Sequence, residues 1–265
     1  MAPRPSAAAG FTPSGALGVL AGLRALLFDL DGVVTRTATV HAAAWKQLFD
    51  EYLQARAGPN APFRPFDILD DYRRYVDGKP RYDGVASFLE SRGMRLPWGS
   101  PADDASEETV CGLGNRKDRY FEERVQRFGV DVFADAAHLL GAAKRHRLPT
   151  AVVSSSKNCE MVLRAARLDC MFDARVDGVE SDRLRLAGKP APDTFLEAAR
   201  RLGVRPAEAI VFEDAIAGVE AARRGGFRVV GVDRIGQAQA LKDAGADVVS
   251  ADLDEFAGVL GGFSE

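Results

Sequence analysis

Little in this sequence could cross-link the chain or cage a soft metal. Its 265 residues include three histidines and three cysteines, Cys111, Cys159 and Cys170. There is no CxxC pair and the cysteine count is odd, which argues against a disulfide framework and a structural zinc site. It points instead to free thiols in a reducing compartment. No long apolar run is present, so no membrane span is expected. The 35 basic and 38 acidic residues leave a formal charge of -3, with no global pull toward nucleic acid or anionic lipid. Any anion site must come from local clustering. The start, MAPRPSAAAGFTPSGALGVL, has an apolar stretch too short and too broken by Gly for a signal peptide. Residues 1–21 read as a loose arm, and the chain as cytoplasmic.

What is present is ordinary soluble composition, 46% hydrophobic and 28% charged, in a chain long enough to bury a good core. Strand-like apolar runs recur at Leu26–Phe28, Thr150–Val153, Ala209–Phe212, Val229–Val232 and Asp247–Val249. Helical patterns lie between them at Ala136–Arg145, Cys159–Ala166, Asp193–Leu202 and Ala217–Arg224. Such alternation predicts an α/β fold, a Rossmann-like doubly wound parallel sheet with helices on both faces. From 36 to 128 the alternation stops. His41–Gln54, Gly84–Ser91 and Arg116–Gln126 are helical in pattern, and no parallel strand is evident. An all-helical domain, 36–128, inserted into a core made of 22–35 and 129–265 accounts for this. The loops 57–65 and 96–106 fall inside the insert.

The stretch Leu26–Thr35, LLFDLDGVVT, organises the rest. Its apolar run resembles a strand buried on both faces, and it ends in Asp29, Leu30, Asp31 and Gly32. Residues two apart on a strand point the same way, so both carboxylates can face one small volume. Like charges that close need a cation, a proton or a reacting group between them. A strand end with an Asp-Gly turn is the plainer reading. Ser154 and Glu213-Asp214 also follow strands directly, where open α/β sheets bind ligands. Taken singly, Ser154 could be a helix N-cap, Lys189 a solvated lysine, and Glu213-Asp214 a loop.

Four segments stand in order: DLDGV at Asp29, SSSKN at Ser154, GKPAPD at Gly188 and FEDA at Phe212. The pattern resembles the haloacid dehalogenase superfamily of phosphotransferases, and within it the β-phosphoglucomutase group with a helical cap; it covers nearly everything after residue 22. The resemblance implies that Asp29 is a carboxylate nucleophile forming an aspartyl-phosphate and Asp31 the general acid and base. It implies Mg²⁺ held by the Asp29 carboxylate, the Asp31 carbonyl and Asp214, with Glu213 supporting through the metal's waters. Ser154 and Lys189 would contact the transferring phosphoryl oxygens.

In TRTATVHAAAWK, Thr37, His41, Trp45 and Lys46 match the same group, with His41 near Asp31 coupling cap closure to acid–base alignment. An ordinary helix histidine is an equal reading. Arg81 in VDGKPR falls where the group binds a distal phosphate, and Lys117 in GNRKD where a cap lysine reaches the active site. Solvated helix faces would explain both as well. Ser156, Lys157 and Asn158 would complete a second anion pocket, or else form a capping turn with a solvated lysine; Ser155 beside them is a further candidate substrate-binding residue. Two departures stand out. VFADA at 132–136 replaces a Pro-Gly turn at a cap hinge, and the insert loops are longer than in minimal members.

The expected function is a sugar-phosphate mutase, converting β-glucose 1-phosphate to glucose 6-phosphate through a bisphosphate and phospho-Asp29. A phosphatase acting on a small sugar phosphate is the alternative, and a catalytically silent binding protein on the same scaffold is a third. The expected partner is a small phosphorylated sugar, with no nucleic acid or membrane; a monomer is expected and a dimer left open.

Overall fold

The apolar run before Asp29 becomes strand β1, Ala25–Asp29, and all five of its residues are buried. This computed structural model describes residues 22–58 and 62–262, so the expected arm and part of the 57–65 loop lie outside the described residues. Strand β1 sits between β2, Thr150–Val153, and β4, Ala209–Glu213, parallel to both, with Leu27 level with Ala151 and Val211. Outward lie β3, Ala174–Val176, then β5, Arg228–Val232, and β6, Val248–Ser250, in the parallel order β3-β2-β1-β4-β5-β6.

Period-two alternation sends Leu26, Phe28, Val152, Ile210 and Phe212 to one face. Helices α4, Ala134–Arg145, and α10, Asp254–Gly262, cover that face with Leu139, Leu140, Phe256 and Leu260. Ala25, Leu27, Val153 and Val211 go to the other face, under α7, Asp193–Leu202, and α8, Ile216–Arg224. The doubly wound expectation holds. Strand β6 is shifted by one residue from its expected place, and β3 had not been expected at all. β3 is a three-residue edge strand with one buried residue, so it leaves no apolar run to read.

Between β1 and α4, the described residues of 36–128 contain helices and no strand. Helix α1 spans Thr37–Gln54, a π-helical turn Tyr72–Val76, α2 Arg81–Ser91 and α3 Val110–Phe128. Phe49, Phe66 and Phe88 centre a separate hydrophobic cluster with Trp45, Leu48 and Leu113. Helix α3 begins six residues before its expected start. Thr109 caps it by accepting from the Gly112 amide at 2.9 Å. The glycines that hid this first turn are close-packing devices, since a Cβ on Gly114 would lie 2.6 Å from the Tyr82 ring.

The two linkers of the insert pair with each other. Arg36 N donates to Asp131 O at 2.8 Å and Phe133 N to Val34 O at 3.0 Å. The segment 132–136 is held by charge and ring: Phe133 packs against the guanidinium groups of Arg36, 4.2 Å away, and Arg234, 4.0 Å away. Arg234 also binds Asp135 at 2.7 Å.

Phe28 is fully buried and stacked 4.9 Å from Phe212 under the site strands. Phe28→Ala should therefore cost about 3–5 kcal/mol in urea unfolding. A midpoint equal to that of the wild-type protein would show that the packing of Phe28 on Phe212 contributes nothing to stability.

Candidate active site

At the carboxyl edge of the sheet a single ammonium serves two buried carboxylates. Lys189 donates to Asp29 Oδ1 at 2.5 Å and to Glu213 Oε2 at 3.1 Å, with its side chain 1% exposed. It is therefore no surface lysine. Its attraction does not win at either acid. Burial raises Asp29 to a pKa of about 6 against the pull of Lys189, with Asp31 adding to the rise. Burial and the Asp29 charge lift Glu213 to about 8. Burial and the charges of Asp77, Asp29 and Glu213 put Asp214 well above the usual carboxylate range. Lys189 itself is held charged by Asp29 and Glu213 in spite of its burial. One cation divided among several desolvated acids cannot ionise them all.

Asp31 is treated differently. Thr37 Oγ1 donates to its Oδ1, Ser154 Oγ to its Oδ2 at 3.1 Å, and His41 Nε2 lies 3.4 Å from Oδ1. Burial favours the neutral acid, yet a charged His41 and these donors bring Asp31 to about 2. His41 is itself pushed down by burial and by Lys117. These two shifts conflict. A neutral ring removes the charge that most depresses Asp31, leaving the donors to favour the carboxylate. His41 stacks on Phe121 at 3.9 Å, and its Nδ1 is 2.6 Å from Lys117 Nζ. With Lys117 as donor, the Nε2–H faces Asp31. His41 is thus part of the site rather than an incidental helix residue.

Ser154 does not cap the following helix, α5, Cys159–Ala165, whose N-cap residue is Asn158. Instead its Oγ also accepts from the Ser156 amide at 3.1 Å. Ser155 Oγ donates to Gly78 O across to the insert at 2.9 Å. Arg81 pairs with Asp118 at 2.5 Å, Asn158 donates to Asp118 at 2.6 Å, and Lys157 pairs with Asp182.

These groups surround a cavity of about 70 Å³ lined by Asp29, Asp31, His41, Trp45, Arg81, Lys117, Ser155, Ser156, Lys157, Glu213 and Asp214. Thr37, Ser154, Lys189 and Asn158 do not line it; the first three are buried behind it and hold groups that do. Lys46 is engaged elsewhere, with Asp50 at 2.7 Å. The cavity also exposes Tyr72, Asp77 and Lys79, which the sequence reading passed over. Asp77 is half-buried, and burial together with the Asp29 charge raises it to about 7. The Asp-Gly step at 77–78, directly ahead of Arg81, was the signal available.

Among the described residues no three His, Cys, Asp or Glu side chains converge as a metal cage. The expected Mg²⁺ set asks for less, two carboxylates and the Asp31 carbonyl. Its chemistry fits: the donors are oxygens only, the negative charge is in excess, and Glu213 Oε1 is buried with no hydrogen-bond partner. Asp214 Oδ2 lies over Gly32, where a Cβ would come within 1.9 Å and where φ is +96°. Only glycine lets that carboxylate approach the Asp31–Gly32 backbone.

The family model for haloacid dehalogenase-like hydrolases matches residues 23–226. A β-phosphoglucomutase of Mycobacterium bovis is 50% identical over 245 residues, covering 91% of this chain and 94% of its own. A phosphorylated carbohydrates phosphatase of Thermotoga maritima is 28% identical over 84% of this chain and 92% of its own. The crystal structure of a β-phosphoglucomutase from Clostridium difficile superposes with a TM-score of 0.70 at 26% identity, covering 88% of this chain and 92% of its own.

Lys117 offers a test of site electrostatics. Burial lowers it from 10.5 to about 7. Between those values the unfolded chain binds a proton that the folded chain does not, so stability falls as pH drops through this window and stays reduced below it. Lys117→Met should raise the melting temperature at pH 7 by roughly 2–4 °C, and the gain should shrink as pH approaches 10.5. A lower melting temperature at pH 7 would mean that the ammonium's contacts with the Trp45 and Phe121 rings, at 5.1 Å each, outweigh its desolvation.

Proposed function

The chain belongs to the haloacid dehalogenase-like hydrolase family, and we propose that it is a Mg²⁺-dependent sugar-phosphate mutase interconverting β-glucose 1-phosphate and glucose 6-phosphate. One observation carries the reading: a single cavity is lined both by the acids Asp29 and Asp31 and by the cations Arg81 and Lys157 with the hydroxyls of Ser155 and Ser156. A bisphosphate with one group reacting and one held fits that mixed lining. The relative at 50% identity is named for the same reaction.

In this mechanism Asp29 carries the phosphoryl group. Asp31, held as a carboxylate by its donors, takes the proton of the attacking sugar hydroxyl while the new O–P bond forms and the Asp29–phosphorus bond breaks. The bisphosphate turns end for end. Asp29 then attacks the other phosphate, and Asp31 returns its proton to the leaving oxygen. Lys189 and Ser154 would stabilise charge on the transferring oxygens. Arg81, Lys157, Ser156 and Asn158 would hold the idle phosphate, with Thr37, His41, Trp45, Lys117 and Ser155 shaping the site around the sugar. Bound through Asp29, Asp214 and the Asp31 carbonyl, with Glu213 behind, Mg²⁺ would offset repulsion between carboxylate and phosphate. Residues 36–128 would act as the cap, hinged where 34–36 meets 131–133. A reducing, cytoplasmic setting suits the free thiols.

A phosphatase is the second reading, favoured by the Thermotoga maritima relative. It uses the same core with water as acceptor. A silent binding protein is disfavoured, because Asp29, Asp31 and Lys189 are all retained and brought together.

Two outcomes follow. Exhaustive chelation of divalent ions should abolish turnover, with added Mg²⁺ restoring it; undiminished activity would rule the metal out. Arg81→Ala should lower kcat/KM for isomerisation of β-glucose 1-phosphate about 10- to 100-fold more than for hydrolysis of a small aryl phosphate, which has no second anion. Equal losses would put the phosphatase reading ahead.

A further inference from the structure

The proposed distal-phosphate donors are already engaged by the protein's own acids. Arg81 is the first residue of α2, and Asn158 belongs to the turn before α5 on the sheet side. Asp118, one residue after Lys117 on α3, joins them: Oδ2 takes Arg81 Nη1 at 2.5 Å and Oδ1 takes Asn158 Nδ2 at 2.6 Å. The pair is largely withdrawn from water, with 14% of the Arg81 and 17% of the Asp118 side chain exposed. Each carboxylate oxygen accepts one donor, as two oxygens of a bound phosphate would. Lys157 is matched in the same way by Asp182.

We propose that Asp118 is a specificity-determining residue, a built-in anion that occupies Arg81 and Asn158 and that a substrate's second phosphate must displace. This rests on the distal-phosphate reading of Arg81. In the absence of substrate Asp118 keeps both donors oriented and spans insert and core. A phosphate arriving at the same donors meets a like charge in a poorly hydrated corner, so affinity for the second phosphate is reduced. A substrate lacking that phosphate never competes with Asp118. The residue therefore sets how strongly the site discriminates between singly and doubly phosphorylated ligands.

The test measures binding of glucose 1,6-bisphosphate and of phenyl phosphate by calorimetry with Mg²⁺ present. All variants carry Asp29→Asn so that no transfer occurs, and a thermal melt verifies the fold of each. Asp118→Asn keeps the shape and removes the charge. It should tighten glucose 1,6-bisphosphate about tenfold relative to its effect on phenyl phosphate, and Asp118→Ala should shift the ratio in the same direction. A purely supporting role predicts the opposite sign. Should both Asp118 variants leave the ratio unchanged or weaken the bisphosphate, while Arg81→Ala also weakens it, Asp118 merely braces Arg81 and the inference fails alone. Should Arg81→Ala leave bisphosphate binding intact, the distal-phosphate reading fails and takes this inference with it.

Discussion

Acids outnumber cations at the carboxyl edge of the sheet, and the rest of the molecule answers to that imbalance. Asp29, Asp77, Glu213 and Asp214 act on one another's ionisation, and Lys189 is in direct contact with two of them. A fold optimised for stability would replace such a group with apolar side chains, often at no loss. Its retention at the end of two central strands is the signature of a working site. Adding an anionic phosphate would deepen the imbalance, so the proposed reaction needs a divalent cation for entry as well as for chemistry. The orphaned Glu213 oxygen and the glycine beneath Asp214 fit that need.

Asp31 escapes the crowding through donors that come from two parts of the chain. Ser154 follows a core strand, whereas Thr37 and His41 lie on the first helix of the insert. The set of donors to Asp31 is therefore complete only when the insert is seated. In the proposed cycle, the same seating that closes the cavity sets the basicity of Asp31, so a sugar hydroxyl meets a competent base only inside a closed site.

The central strands were legible because burial on both faces leaves unbroken apolar runs, and the strand-end acids because charge there is costly. Strand β3 was not, since an edge strand of three residues leaves no run. The first turn of α3 was hidden by glycines kept for packing. In the site, DLDGV, SSSKN, GKPAPD and FEDA could be read from order and spacing. Burial could not: Lys189 looks like any surface lysine until two carboxylates are found around it. Asp77 follows directly on a π-helical turn, Tyr72–Val76, with no strong period to flag it. Asp118 is one charge among many in GNRKDRY, and only the fold shows that it faces Arg81 and Asn158 rather than water.

The proposed hinge bears on how that seating could be released. Phe133 packs against the guanidinium groups of Arg36 and Arg234, and Arg234 is tied to Asp135. The linkers also pair with each other through backbone hydrogen bonds. Contacts across the mouth are of another kind: the Ser155 hydroxyl on Gly78 O, Asn158 on Asp118, and His41 beside Asp31. Polar contacts of this sort exchange readily for water or for a ligand, unlike a large apolar interface. Opening would therefore break the mouth and spare the hinge. The groups exposed at the mouth are the ones a bisphosphate would engage, so ligand entry and cap release would draw on the same few hydrogen bonds, and the balance between open and closed forms would follow the anion that holds them.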